Sequence, residues 1–219
     1  MNNLPAARLS PEAEAFLAAK TTRARLIICI DATASREHCW DLAAQLHAEM
    51  LKTAAATGSL ETQLAYYRGN REFTATQFLT SSTAMAAAIS KVRCAAGVTQ
   101  IGRALAHARR ENERQKIAAL VVISDACEEI PADLLMAATG LPPVFMFQEG
   151  GNASVRQTYS AIADVTGGAW AGFDSSSAQR LGELLRGVAA YAVGGLPALA
   201  KEGTAGATLL LSQLKGGGA

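Results

Sequence analysis

The chain has 219 residues, half of them hydrophobic, and its 20 Lys and Arg nearly balance 19 Asp and Glu, for a formal net charge of +1. The apolar content excludes a disordered chain, and the length fits one domain with short additions. The near-neutral charge disfavours nucleic acid and anionic membranes as partners, because both attract basic surfaces.

The first half of the chain predicts two helices and three strands. Ser10 followed by Pro11 is typical of a helix start, since serine caps free N–H groups and proline suits the first helical turn. Residues 26–30 are continuously apolar and β-favouring, which is typical of a parallel strand buried on both faces. In chain order we predict a helix at 10–20, the strand at 26–30, a helix at 38–57, and a hairpin of strands at 63–67 and 72–74.

The second half continues to alternate strands with helices. Residues 117–123 form another continuous apolar run, which ends in Ser124 and Asp125. The alternation indicates an α/β fold, doubly wound and Rossmann-like, with a mostly parallel sheet of about six strands, one antiparallel edge strand and helices on both faces. In chain order we predict helices at 82–93 and 101–113, a strand at 117–123, a helix at 131–139, a strand at 143–147, a helix at 154–165, a strand at 168–173, and helices at 177–191 and 204–214.

We divide the chain into three parts. Residues 1–24 are an N-terminal helical extension, residues 25–193 the α/β domain, and residues 194–219 an apolar tail that we expect to be helical and either docked or partner-binding. Arg8 and Glu12 interrupt the apolar stretch that a signal peptide would need, and the longest uncharged apolar stretch near the end, residues 188–200, is too short to span a bilayer. We therefore expect a cytoplasmic protein.

Five side chains with oxygen ligands follow the predicted strands or precede a helix. Asp31, Thr33 and Ser35 occupy alternate positions after the first strand, so an extended loop points all three the same way. Thr99 precedes a helix, and Asp125 ends the second apolar run. In open α/β sheets, ligands bind beyond the carboxyl ends of the strands, where the strand order reverses. Two carboxylates and three hydroxyls suit a hard cation, and we predict Mg²⁺, with Mn²⁺ or Ca²⁺ as alternatives.

Four stretches resemble von Willebrand factor type A (VWA) domains. Residues 26–35, which end in the letters DATAS, resemble the family's first strand and the DxSxS motif that begins its metal-ion-dependent adhesion site (MIDAS). Residues 97–105 are similar to the family's threonine loop and following helix. Residues 121–125 are similar to the strand end with the second aspartate, and residues 162–168 to the turn before the last strand. The four stretches occur in the family's order, and the resemblance covers about residues 25–193.

The resemblance implies a role for each of the five side chains and for the protein as a whole. Thr33 and Ser35 would be direct ligands of the metal, and Thr99 a direct or water-mediated one. Asp31 and Asp125 would hold the ion directly or through water. In this family an acidic side chain of a partner protein completes the coordination, which implies a non-catalytic intracellular adaptor or assembly factor. Intracellular relatives often serve ring-shaped ATPases or chaperones, so a complex of that kind is the implied partner.

Other interpretations stay open. A strand ending in DxTxS resembles Mg²⁺-dependent phosphatases of the haloacid dehalogenase type, although Thr33 stands where they need an acidic general acid/base. A second alternative is a VWA fold that no longer uses its metal site and binds through another surface, such as the tail at 209–214. Asp31 and Asp125 could also simply cap helices or bind loop amides. Glu128 and Glu129 are interpreted as exposed loop acids, with a role in deepening the negative potential around the ion as the alternative.

Overall fold

The computed structural model describes residues 23–34, 60–174 and 178–216, and these contain a single six-stranded sheet. Each strand predicted from the sequence is present, with bounds shifted by a few residues. The helices predicted at 10–20 and 38–57 lie outside the described residues. The strands are β1 (Ala24–Asp31), β2 (Leu60–Arg68), β3 (Glu72–Ala75), β4 (Ala119–Ser124), β5 (Val144–Glu149) and β6 (Ala169–Phe173).

The order of strands in the sheet is β3-β2-β1-β4-β5-β6. All neighbouring pairs are parallel except β2 and β3, which form the predicted hairpin with its antiparallel strand at the edge. From β1 the chain builds the sheet towards β3, and it then returns to the other side of β1 with β4. The order therefore reverses between β1 and β4, and doubly wound sheets bind ligands at the carboxyl ends beside such a reversal.

Helices cover both faces of the sheet, so the predicted fold class is confirmed. One apolar cluster joins the sheet to the helices at 82–89, 178–201 and 205–216. The other joins it to the helices at 101–114, 131–138 and 153–166. No helix in the described ranges has both the length and the apolar character that crossing a membrane requires. The helices are α1 (Ser82–Ile89), α2 (Ile101–Arg114), α3 (Pro131–Ala138), α4 (Ala153–Thr166), α5 (Ala178–Lys201) and α6 (Ala205–Gly216).

The end of the chain packs back on the sheet as a pair of helices. α5 runs beyond its predicted end and is interrupted at Gly194 and Gly195, where a φ of 63° at Gly195 is a conformation that favours glycine. α6 approaches α5 closely, because a Cβ on Gly206 would lie only 2.7 Å from the Cβ of Glu183. The Glu183 carboxylate also accepts the backbone N–H of Gly206 at 3.0 Å. The two helices therefore form one compact unit.

α6 also covers one edge of the sheet. The side-chain amide of Gln213 donates to the backbone oxygen of Trp170 at 2.7 Å and accepts the backbone N–H of Trp170 at 2.9 Å. Trp170 lies on β6, the outer strand on that side of the described sheet. Unpaired backbone groups on an edge strand are a template for association with other chains. Gln213 satisfies them at this position much as a neighbouring strand would.

Candidate metal site

Asp31, the last residue of β1, lies fully buried beside the reversal of strand order. One carboxylate oxygen, Oδ1, accepts the backbone N–H of Thr33 at 2.8 Å. The other, Oδ2, accepts the hydroxyls of Ser124 at 2.6 Å and Tyr67 at 3.2 Å. Burial and, less strongly, the charge of Asp31 raise the pKa of Tyr67 well above its usual range, so the phenol keeps the proton that it donates. Three of about four acceptor positions of the carboxylate are thus used.

Tyr67 and Ser124 also belong to the site, although neither is among the five predicted ligands. Tyr67 is the register partner of Asp31 on the adjacent strand β2, and Ser124 ends the adjacent strand β4. Side chains at the ends of three neighbouring strands therefore meet at one buried carboxylate. One feature of the sequence could have indicated them, because each of the two residues stands at the end of a predicted strand.

Asp125 follows β4 and has one unsatisfied oxygen. Its Oδ1 atom is buried and has no hydrogen-bond partner among the described residues. A buried carboxylate oxygen without a partner is costly, so this atom marks a place for a cation, a water or a donor from another molecule. The other predicted ligand in β1's loop, Thr33, is buried next to Asp31. Ser35 lies outside the described residues.

Thr99 is held by Glu128, which lies in the loop after β4. The backbone N–H and the hydroxyl of Thr99 both donate to the same carboxylate oxygen of Glu128, at 2.9 and 2.6 Å. In return, the backbone N–H of Glu128 donates to the Thr99 hydroxyl oxygen at 3.1 Å. These three hydrogen bonds join the loop before α2 to the loop after β4.

A glycine helps to place the Thr99 loop. A Cβ on Gly97 would lie 2.1 Å from the backbone oxygen of Gly69, in the turn between β2 and β3, so only glycine fits there. The backbone N–H of Ala95 donates to the oxygen of Ala32 at 3.1 Å, which ties the same loop to the end of β1. The three loops that carry Asp31, Thr99 and Asp125 therefore converge.

Glu129 caps helix α2. Its two carboxylate oxygens accept the backbone N–H groups of Ile101 at 2.7 Å and Gly102 at 2.8 Å. α2 has no side-chain cap from Gln100 and no acid in its own first turn, so this carboxylate supplies the negative charge that a helix N-terminus favours. The interpretation as exposed loop acids is confirmed for Glu128 and is wrong for Glu129, which is half-buried. Both carboxylates bind the segment that begins α2.

The converging loops carry four carboxylates, those of Asp31, Asp125, Glu128 and Glu129. No ion pair within the described part of the chain neutralises any of them. In the same ranges, no three Asp, Glu, His or Cys side chains come close enough together to hold a metal ion. An ion at this edge of the sheet would therefore depend on hydroxyl oxygens as well as carboxylates, as the predicted ligand set does.

Comparison with known proteins identifies the fold. No protein-family model matches the chain, and no curated protein matches it. Among solved structures, the von Willebrand factor type A protein from Catenulispora acidiphila matches with a TM-score of 0.64 and 20% identity over 79% of this chain and 43% of its own. The SpRpn10 VWA domain matches with a TM-score of 0.58 and 10% identity over 73% of this chain and 95% of that domain. The pilus adhesin SpaC from Lactobacillus rhamnosus GG matches with a TM-score of 0.61 and 10% identity over 79% of this chain and 30% of the adhesin.

These likenesses show that the chain has the fold of VWA domains, as the sequence motifs suggested. The chain spans less than half the length of the Catenulispora protein and of the adhesin, and nearly the whole SpRpn10 domain. At identities of 20% and below, the likeness concerns the fold and not the activity. The functional argument therefore depends on the residues of the site itself.

Proposed function

We propose that this protein is a non-catalytic protein-interaction module whose partner binds through a divalent cation at the carboxyl ends of β1 and β4. The observation that most supports this proposal is the buried, unpartnered Oδ1 of Asp125. Asp125 directly follows Ser124, whose hydroxyl donates a hydrogen bond to Asp31. The fold adds support, because one solved protein that shares it is named as a pilus adhesin.

The donor atoms at the site fit a hard cation. Asp125 has an oxygen without a partner, Asp31 retains about one acceptor position, and Thr99 retains one lone pair after its hydrogen bonds with Glu128. All three donors are oxygen atoms, which Mg²⁺ prefers over nitrogen or sulfur. Asp31, Asp125 and Thr99 would hold the ion, with Thr33 and Ser35 as the further predicted ligands. The bound ion would supply a positive charge, and an acidic side chain of a partner would coordinate the ion.

The surface beside these loops suits contact with another protein. Val98 precedes Thr99 and is 53% exposed, and Ile130 follows Glu129 and is 64% exposed. The Thr99 to Glu128 hydrogen bonds join the two loops that carry these apolar side chains. Exposed large apolar side chains next to a charged centre are typical of interaction surfaces.

The burial of Asp31 argues against the phosphatase alternative. A nucleophilic aspartate needs an oxygen that can reach the substrate. Asp31 is fully buried, and both of its oxygens accept hydrogen bonds from neighbouring groups. Thr33, two residues further on, has no acidic group with which to move a proton. These features favour a structural and metal-holding role for Asp31 over covalent catalysis.

Mg²⁺ or Mn²⁺ is expected to raise the melting temperature of the protein. An ion present at a hundred times its Kd stabilises the folded state by about 2.7 kcal/mol, which corresponds to roughly 5 to 10 °C for a domain of this size. Asp125→Asn is expected to abolish the shift while changing the metal-free melting temperature little, because Oδ1 has no hydrogen bond to lose. The measurement is differential scanning fluorimetry with each ion and with EDTA.

Asp164→Asn on α4 serves as the control, since Asp164 is an exposed acid outside the three converging loops. It should keep the full metal-dependent shift. If neither ion changes the melting temperature of the unmodified protein, metal dependence is contradicted. The alternative that the fold binds through another surface would then take its place.

The partner is expected to remain bound only while the cation is present. We predict that a pull-down from native extract retains a specific protein in Mg²⁺ and loses it in EDTA or with the Asp125→Asn variant, because the partner's acid binds the ion. Mass spectrometry identifies the retained protein, for which a ring-shaped ATPase or a chaperone stays the prediction. Retention that is equal with and without EDTA argues for a metal-independent surface.

A further inference from the structure

We propose that Glu128 is a positioning residue for the metal, because it orients the Thr99 hydroxyl so that one lone pair remains available to the cation. This inference rests on the proposed function and adds a residue to it. Glu128 is not one of the predicted ligands, and its carboxylate does not join Asp31 and Asp125 in a three-carboxylate cluster within the described residues. It acts on the ion only through Thr99.

The hydrogen bonds around Thr99 fix the position of its hydroxyl proton. An ionised carboxylate can only accept, so the 2.6 Å contact requires the Thr99 hydroxyl to donate to Glu128 Oε2. A backbone N–H can only donate, so the 3.1 Å contact from the Glu128 N–H uses one lone pair of the same hydroxyl. A hydroxyl has one proton and two lone pairs. One lone pair is therefore left, and the proton cannot point towards the ion.

The same carboxylate also restricts how Thr99 can move. The Thr99 backbone N–H donates to Glu128 Oε2 at 2.9 Å, so backbone and side chain are held by one oxygen atom. Thr99 is buried, with 4% of its surface exposed, whereas Glu128 is exposed. Hydrogen bonds to an anion are short and strong, and carboxylates that bind a metal ligand raise its basicity and fix its orientation. The Glu128 carboxylate accepts the Thr99 hydroxyl, so it would both raise the basicity of the hydroxyl oxygen and fix its orientation.

Glu129 provides a natural comparison within the same loop. It is the next residue, has the same charge, and binds the same segment of the chain. Its oxygens accept the N–H groups of Ile101 and Gly102, however, and the hydrogen bonds of Thr99 go to Glu128 instead. Loss of Glu129 should therefore weaken the start of α2 without altering the Thr99 hydroxyl. Loss of Glu128 should alter the hydroxyl.

The test compares Mg²⁺ and Mn²⁺ affinity in Glu128→Ala, Glu128→Gln and Glu129→Gln, by isothermal titration calorimetry on the full chain. We expect Glu128→Ala to weaken binding by about 10- to 100-fold, the range typical of lost partners of metal ligands. Glu128→Gln should fall in between, because its amide oxygen can still accept the hydroxyl proton but has no charge. Glu129→Gln should keep the affinity within about twofold and lower the metal-free melting temperature by a few degrees, as expected of a lost helix cap.

The electron paramagnetic resonance spectrum of bound Mn²⁺ gives a readout that a purely structural role would not change. It should broaden or shift in the Glu128 variants and match the unmodified protein in Glu129→Gln. Unchanged affinity in both Glu128 variants overturns the inference while the proposed function stands. Equal loss of affinity in Glu128→Gln and Glu129→Gln also overturns it, because the loop would then matter only as a whole. An unmodified protein that binds neither ion overturns the proposed function and this inference together.

Discussion

Asp31→Ala is expected to destabilise the protein strongly even in the absence of metal. The substitution removes the acceptor for the hydroxyls of Ser124 and Tyr67 and for the Thr33 N–H. The site is buried, and the loss of each hydrogen bond to a buried charged acceptor costs about 1 to 3 kcal/mol. The expected total is about 3 to 5 kcal/mol, a large part of the 5 to 15 kcal/mol by which ordinary domains are stable. Urea unfolding in EDTA measures the loss without any contribution from metal.

Two further variants separate this structural role from the metal. Asp31→Asn keeps the shape and one acceptor oxygen, and its neighbouring hydroxyls can rotate to accept, so a smaller loss of about 1 to 3 kcal/mol is expected. Asp125→Asn changes the other predicted acid, whose Oδ1 has no hydrogen bond, and is expected to lose less than about 1 kcal/mol in EDTA. If Asp31→Ala unfolds at the same urea concentration as the unmodified protein, the hydrogen bonds to Asp31 do not stabilise the fold.

The contrast between Asp31 and Asp125 could not be predicted from sequence. Both acids end a continuous apolar run, and this pattern correctly predicted two parallel strands at the centre of a doubly wound sheet. The pattern also placed both acids at the carboxyl ends of the strands, beside the point where the strand order reverses. It treated them as equivalent, whereas the structure satisfies Asp31 with three donors and leaves Asp125 Oδ1 without one.

The difference arises from contacts that are remote in the chain. Tyr67 is 36 residues from Asp31 and Ser124 is 93 residues from it, and both reach the carboxylate only because their strands flank β1. The contact of Glu128 with Thr99 similarly spans 29 residues. A single sequence shows that such acids and hydroxyls exist, but not which loop acid meets which amide. Local patterns predicted the elements, and strand order decided the partners.

The C-terminal helices illustrate the same limit on a larger scale. The spacing of apolar residues predicted a helix at 204–214 but left open whether it would dock or bind a partner. In the structure, Leu199 and Leu210 are fully buried and belong to the same core cluster as β1 and β4. The glycines at 187 and 206 permit this close approach, because a side chain at either position would meet the neighbouring helix. The apolar surface of the tail is thus largely used within the molecule.

Removal of residues 196–219 is therefore expected to prevent stable folding. The truncation deletes Leu199 and Leu210, and the loss of a buried leucine costs about 2 to 5 kcal/mol when it leaves a cavity. It also exposes Leu184 and Val188 of α5, which pack in the same cluster. The combined loss approaches the whole stability of an ordinary domain. Circular dichroism and thermal unfolding should show little cooperative structure in the truncated chain.

Gln213→Ala tests the other contribution of α6, the covered edge of β6, while leaving the apolar core in place. The variant leaves the N–H and the oxygen of Trp170 without their partner, so we expect a loss of about 1 to 3 kcal/mol and more self-association, because an open strand edge pairs with other chains. Ser212→Ala, an exposed neighbour on the same helix, is the control and should behave as the unmodified protein. Sedimentation velocity over a range of concentrations measures the association.

The truncation also discriminates between the two uses of the tail. A tail that serves mainly to bind a partner could be removed with little change in the melting temperature of the remaining domain. Removal of a tail that completes the core would lower the melting temperature, because the sheet face beneath it would be left exposed to water. A truncated chain that melts cooperatively at the original temperature would contradict the packing of Leu199 and Leu210, and it would favour a partner-binding tail. Failure to fold would instead support a tail that completes the core, and the converging loops of Asp31, Thr99 and Asp125 would stay the proposed interaction surface.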